Sequence, residues 1–333
     1  MDRMDFTHAV ARLRVIEKRL LDKVKIERLL EGETPEEVLK ILQETEYGES
    51  LSDVNNVHSY EDMLREQLKN LYSNMYKLTP DKSIVDIMSL RYDYHNIKVL
   101  EKGKLGGRDF TSLLIPIGTV SVENLKTMVL SGEIKDLPPL MREAIKKVEE
   151  DFSQSNDPQN VDIILDKYMY KHILQSALDT EIEFIINYVK SSIDIANIKS
   201  MLRVKKQNKD SKFLENILIL DGNIEKSIFI YGINDTLENF INSISKSSYT
   251  KILTSILEEY NSTGNFSSIE VLFDNYIIDK AKDAKRINFG PEPIVSYILA
   301  KENEIKIIRI IMVGKINKVP TEVIRERLRD IYA

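Results

Sequence analysis

The chain has 333 residues and a formal net charge of −6, with 42% hydrophobic and 30% charged residues, which indicates a folded protein and disfavours general nucleic-acid binding. It contains no cysteine, which excludes disulfides, thiolate catalysis and cysteine-ligated metal. Its 12 glycines and 9 prolines are few for the many turns of an all-β protein, so long helices are favoured.

Helical periodicity is clear in the first third of the chain. Apolar residues three or four positions apart predict one helix over residues 6–30, which ends at Gly32. The following TPEE (34–37) combines an N-cap, a proline at the first helical position and a capping-box acid. Further helices are predicted from Ser59 and after Thr79, the latter stopping near Gly103.

The remaining two thirds also read as helices. We predict a helix from Val122, a long pair over about 159–204, and helices near 223–232, 235–245, 248–261 and 267–285. An apolar helix over 294–314 and a short second helix over 315–333 end the chain. The basic run 203–212 reads as a loop or helix end, with contact to an acidic partner as the alternative. No alternating strand series is present, so the predicted fold is all-α.

Two similar motifs, DYHNIK (93–98) and DIANIK (194–199), lie 101 positions apart. Each is followed by a turn and an apolar segment that ends at Gly118 or Gly222. A looser third copy, KENEIK (301–306), has Lys301 in place of Asp and Glu304 in place of Asn. Because this period is domain-sized, we predict three helical domains at 1–118, 119–222 and 223–333.

The polar residues of these motifs are the candidate site residues: Asp93, Asn96, Asp194, Asn197, Lys301 and Glu304. Residues three apart share a helix face. Two interpretations remain open at this point. The side chains either fix contacts between helices by buried hydrogen bonds, or they line a cavity that faces a partner.

Catalytic and cofactor patterns are absent from the sequence. The four histidines are scattered, and GKLGGR (103–108) lacks the Lys-Ser/Thr ending of a phosphate loop. No nucleophile motif occurs, and no carboxylate pair is selected. We therefore expect no cofactor and no enzymatic activity. The longest uncharged run, 110–122, is too short to span a bilayer, so membrane contact should be indirect.

Four stretches together carry a family resemblance: AVARLR with Leu20-Leu21, LRYDYHNIK (90–98), DIANIK (194–199) and the terminal 297–333. In this order they resemble the C subunits of V-type and A-type ATPases, the counterparts of the d subunit of eukaryotic V-ATPases. The resemblance implies an all-helical funnel of three similar domains in a pseudo-threefold arrangement around a central cavity.

The resemblance also implies a function and a set of partners. Such a protein is a non-catalytic, peripheral part of the rotor on the cytoplasmic face of the membrane. It would link the central shaft, subunits D and F, to the membrane proteolipid ring and transmit torque, with the stator membrane subunit as a further contact. It would bind no nucleotide and no ion itself, and the acidic net charge predicts no nucleic-acid partner. The alternatives are a helical adaptor with another partner, or a helical enzyme with dispersed carboxylates.

Overall fold

A computed structural model describes residues 2–51 and 56–333 of the chain. Within these residues the protein is all-helical and has no β-strand, which confirms the predicted fold class. The first five α-helices are α1 (Thr7–Glu17), α2 (Lys23–Glu31), α3 (Pro35–Gln43), α4 (Ser59–Leu78) and α5 (Ser83–Gly106). The next five are α6 (Val122–Ser131), α7 (Pro139–Ser155), α8 (Pro158–Asp179), α9 (Glu183–Lys206) and α10 (Ser211–Ile217). The last six are α11 (Lys226–Gly232), α12 (Leu237–Ser243), α13 (Thr250–Thr263), α14 (Ile269–Lys282), α15 (Glu292–Ile316) and α16 (Thr321–Glu326).

The chain forms two compact units. The first unit combines the residues up to Val85 with Thr263–Ala333, and the second unit is Asp86–Ser262. In the first unit, α15 packs against α1, α4 and α14, and most of its surface is buried. In the second unit, α7 packs against α8, and α8 packs against α9. The division into three domains stays a prediction.

The single helix predicted over residues 6–30 is wrong. The structure has two helices there, because residues 18–22 leave the helix between α1 and α2. Asp22 is the N-cap of α2, and its side chain accepts a hydrogen bond from Lys25 N. The apolar periodicity continues across the break, since Leu20 and Leu21 are both buried, and periodicity therefore conceals it.

The end of the chain also differs from the prediction. Helix α16 spans only Thr321–Glu326, and the last seven residues, 327–333, are not helical. They are nevertheless attached to the first unit, because Tyr332 is buried and accepts a hydrogen bond at its carbonyl from Lys285. Asn303 on α15 donates to the carbonyl of Asp330 at 2.8 Å.

The described helices include none that is long and apolar enough to cross a membrane.

Candidate functional site

The six predicted site residues lie on the three longest helices, α5, α9 and α15. All six are buried, with exposed fractions of at most 5%. Each has hydrogen-bond partners within its own unit of the chain, as the contacts below show. The structure therefore supplies the contacts between helices that the first of the two sequence interpretations requires.

Asn96 and Asn197 each bind the backbone of the apolar segment that follows their helix. Asn96 Nδ2 donates to Ile115 O at 2.8 Å, and Ile115 N donates to Asn96 Oδ1 at 2.8 Å. Asn197 makes the same pair of bonds to Ile219, at 2.8 and 2.9 Å. An amide side chain can pair with one residue's N–H and C=O in this way because it carries both a donor and an acceptor.

Asp93 and Asp194 bind the residue that precedes the N-cap of the short helix that follows each apolar segment. Val120 N donates to Asp93 Oδ1 at 3.0 Å, just before Ser121 caps α6. Ile224 N donates to Asp194 Oδ1 at 3.0 Å, just before α11. Thr119 adds two further bonds to Asp93, both at 2.8 Å.

The two glycines that end the apolar segments lie directly against these carboxylates. A β-carbon on Gly118 would come within 2.1 Å of Asp93 Oδ1, and one on Gly222 within 2.3 Å of Asp194 Oδ1. Neither distance is sterically possible, so the close approach of segment and carboxylate requires glycine at both positions.

In the third copy the residue that corresponds to Asp93 and Asp194 is Glu304. Leu21 N donates to Glu304 Oε2 at 2.5 Å, and Leu21 immediately precedes the N-cap Asp22 of α2. The alignment of Lys301 with the two aspartates is therefore wrong. The segment that Glu304 binds does not follow α15 in the sequence; it lies between α1 and α2. Ile307 occupies the position of the asparagines, so this copy has no amide bond of that kind.

A lysine eleven positions after each acid binds the other end of the same short helix. Lys104 Nζ donates to Val129 O in the last turn of α6 at 3.1 Å. Lys205 Nζ donates to Ile233 O at the C-cap of α11 at 2.9 Å. Lys315 Nζ donates to Leu30 O in the last turn of α2 at 2.6 Å.

We call each acid and its lysine an acid–lysine clamp; the three clamps are Asp93–Lys104, Asp194–Lys205 and Glu304–Lys315. Eleven residues of α-helix span about 16 Å, which matches a short helix of two to three turns. The carboxylate lies near the N-terminal end of the short helix, and the ammonium group lies at its C-terminal end. Both charges therefore interact favourably with the helix dipole. The lysines also bind carbonyl groups that have no partner within the helix.

The remaining candidate, Lys301, belongs to a buried ionic cluster in the first unit. Its ammonium group binds Glu304 Oε1 at 2.6 Å and Glu46, and lies 4.1 Å from the centre of the Tyr47 ring. Tyr47 OH donates to Glu304 Oε1 at 2.7 Å, and burial together with Glu304 raises the pKa of this phenol well above its usual value. Lys301 thus balances a carboxylate that also holds α2.

Burial perturbs the first clamp acid as well. It raises the pKa of Asp93 to about 6, although the hydrogen bonds from Val120 and Thr119 favour the ionised form and lower it in part. The described residues contain no group of histidine and acidic side chains that could hold a metal ion. The contacts that these residues make fix three short helices to three long ones.

Sequence reasoning did not find the three lysines. The signal that could have found them is the constant acid–lysine spacing of eleven, at 93 and 104, 194 and 205, and 304 and 315. The prediction that the six residues contact a partner stays a prediction.

Comparison with known proteins identifies the family of the chain. The sequence model of the family described as ATP synthase (C/AC39) subunit matches residues 9–327. The C subunit of the A-type ATP synthase of Methanocaldococcus jannaschii is 28% identical, over 98% of this chain and 87% of that protein. The C subunit of the V-type sodium ATPase of Enterococcus hirae is 26% identical over 95% of each chain. The resemblance inferred from the sequence is confirmed, and the chain belongs to the family of ATP synthase C/AC39 subunits.

Proposed function

We propose that this chain is a non-catalytic rotor subunit of a V-type or A-type ATPase, which links the central shaft to the membrane proteolipid ring. The shaft consists of subunits D and F, and the stator membrane subunit is a further contact. Torque passing through the chain couples ATP hydrolysis or synthesis to ion transport. The observation that carries the proposal is the family match over residues 9–327.

The proposed architecture is a funnel of three similar helical domains in a pseudo-threefold arrangement around a central cavity, peripheral to the membrane on its cytoplasmic face. Three clamps of the same construction support a threefold repeat, because an acid and a lysine hold a short helix at both ends in each case. A torque-transmitting part must also be stiff, and buried charge-assisted hydrogen bonds restrain helices against sliding.

The six candidate residues influence the partner interface indirectly, by positioning the helices and segments that they bind. Because they are buried, we propose that they shape the partner-facing surface through the helices and segments that they hold. A side chain that sets the position of α11 affects binding only if α11 or its neighbours form part of that surface.

The direct test is binding of the purified full-length chain to a purified D–F shaft complex and to the detergent-solubilised proteolipid ring. We expect binding to both and no ATP hydrolysis by the chain alone. A chain that binds neither would contradict the rotor proposal and favour a helical adaptor with another partner. ATP hydrolysis by the chain alone would favour the enzyme alternative.

The role of the clamps is tested with Asp194→Asn, which keeps the size of the side chain and removes its charge. Asp179→Asn is the matched control, because Asp179 is an exposed residue at the end of α8 in the same unit. We expect Asp194→Asn to weaken shaft or ring binding together with the amide-exchange protection of α11, and Asp179→Asn to change neither. Reduced protection of α11 with unchanged binding to both partners would refute the positional role.

A further inference from the structure

Glu101 is a fully buried carboxyl group in the second unit, on α5. It has no exposed surface, and neither of its carboxyl oxygens has a hydrogen-bond partner among the described residues. It lies eight positions after Asp93 and three before Lys104, and therefore between the two members of the first clamp. A buried polar group without a partner is costly, so its presence requires an explanation.

The other two clamps show that this position does not need a carboxyl group. Eight positions after Asp194 lies Leu202, and eight after Glu304 lies Met312; both are buried. The equivalent position is thus apolar in two of three copies, as expected for a core site on a long helix. Glu101 is the exception. Unlike Leu202 and Met312, its side chain carries a proton that it can release.

The charged groups around Glu101 are Lys104 on its own helix and Glu149 on α7, which form an ion pair at 2.6 Å. The other lysines of this part of α5, Lys98 and Lys102, are paired with α8 through Asp162 and Asp166. On α6 the buried residues are apolar, Leu125 and Val129. Burial raises the pKa of Glu101 to about 7; Lys104 opposes this shift and Glu149 adds to it.

We propose that Glu101 is a proton-controlled switch of the clamp that holds α6. In the neutral form it leaves Lys104 bound to Val129 O and Glu149. When the carboxyl group releases its proton to water, a buried negative charge forms one helical turn from Lys104. The ammonium group is then drawn from Val129 O toward this carboxylate, and the C-terminal end of α6 loses its attachment. The other two clamps lack this response, because Leu202 and Met312 cannot ionise.

The sign of the pH dependence follows from the raised pKa. The folded state binds this proton more tightly than the unfolded state, so its stabilising effect is present below the unfolded value and is lost as pH rises through about 7. A rise of the pKa from 4.5 to about 7 changes the opening equilibrium by at most about 300-fold over the whole titration. The loss should appear locally at α6, because Lys104 binds there.

The test is amide hydrogen exchange by mass spectrometry on the full-length chain at pH 6 and pH 8.5, corrected for the intrinsic exchange rate. In the unsubstituted chain, protection of α6 should fall by roughly tenfold between these pH values, because pH 6 lies about one unit below the pKa of Glu101. Glu101→Leu, which copies the second clamp, should remove most of this fall. The difference between the two proteins isolates Glu101 from the titration of Asp93.

Helix α11 is the internal control, since its clamp has Leu202 at the equivalent position; its pH dependence should be the same in both proteins. If Glu101→Leu does not fold, Glu101→Gln provides the same comparison with a neutral side chain of equal size. An α6 that loses protection equally in the original chain and in either folded variant would overturn the proposal.

Discussion

The close approach of Gly222 to Asp194 allows a double-mutant cycle with a defined outcome. In Gly222→Ala, the new methyl group would lie 2.3 Å from Asp194 Oδ1, so the carboxylate must move by about an ångström to reach ordinary contact. That movement breaks the hydrogen bond from Ile224 N. A hydrogen bond to a charged group contributes about 1.5–3 kcal/mol, so we expect a loss of about 2 kcal/mol.

Asp194→Ala should cost more, because the carboxylate accepts bonds from three groups. Besides Ile224 N, these are Asn223 Nδ2 and Tyr249 OH, both at 2.9 Å. With three donors left unpaired in a buried site, we expect a loss of about 3–5 kcal/mol. In the double variant the methyl group has no carboxylate to displace. Its nearest remaining contact is Ile193 Cγ2 at 3.1 Å.

The double variant should therefore be about as stable as Asp194→Ala alone, with a coupling energy of about 2 kcal/mol. The assay is urea denaturation of the full-length chain with pulsed hydrogen exchange, read from peptides of the second unit, because two units need not unfold together. Asp179→Ala serves as the exposed control and should change stability by less than about 0.5 kcal/mol. Additive losses in the double variant would refute the steric reasoning.

Three further outcomes follow from the clamps. Lys315→Met removes the donor to Leu30 O and should lower the unfolding free energy of the first unit, measured by denaturation, by about 1.5–3 kcal/mol. Reduced exchange protection should be confined to α2 and α16, because Lys315 also binds Thr321. Unchanged protection of α2 would argue against the clamp. Lys301→Met leaves two carboxylates without their cation and should cost about 3–5 kcal/mol by the same measurement, whereas a neutral result would show that the cluster is not ionic. Because the pKa of Asp93 is raised to about 6, protonation of this carboxyl group stabilises the second unit by about 3 kcal/mol below about pH 4, and this contribution should be lost as pH rises from 4 to 6. Denaturation at several pH values should show this fall in the unfolding free energy in Glu101→Gln. The double variant with Asp93→Asn should not show it.

Much of the fold follows from local sequence patterns. The start of α4 at Ser59, the start of α6 at Val122, and the long pair α8 and α9 were predicted from caps, breaks and periodicity. These signals are local, since an N-cap or a proline acts within one turn of the helix. The break at residues 18–22 was missed because the apolar periodicity continues across it, and one contact at the break is remote: Leu21 N binds Glu304 from the other end of the sequence.

The candidate site was predicted only in part for a similar reason. The repeated Asp and Asn identified the two clamp acids of α5 and α9, because both copies keep the same three-residue spacing between Asp and Asn. The third copy was aligned incorrectly because it contains two charged residues, Lys301 and Glu304, at helical spacing. The sequence does not show which of the two binds a backbone N–H. The lysines went unnoticed because lysine on a helix usually marks a solvated face, and only the contacts show that these three bind carbonyl groups.

The third clamp also has a consequence for the order in which the chain can fold during synthesis. The bonds of Asp93 to Thr119 and Val120 join residues fewer than thirty positions apart and can form soon after both have left the ribosome. The bonds that hold α2 join residues 283 and 285 positions apart. At typical elongation rates of roughly 5–20 residues per second, α2 must wait roughly 15–60 s for its partner helix. A nascent chain stopped before α15 would therefore lack both groups that hold the ends of α2, and a helix made early in synthesis depends on one of the last helices to be made.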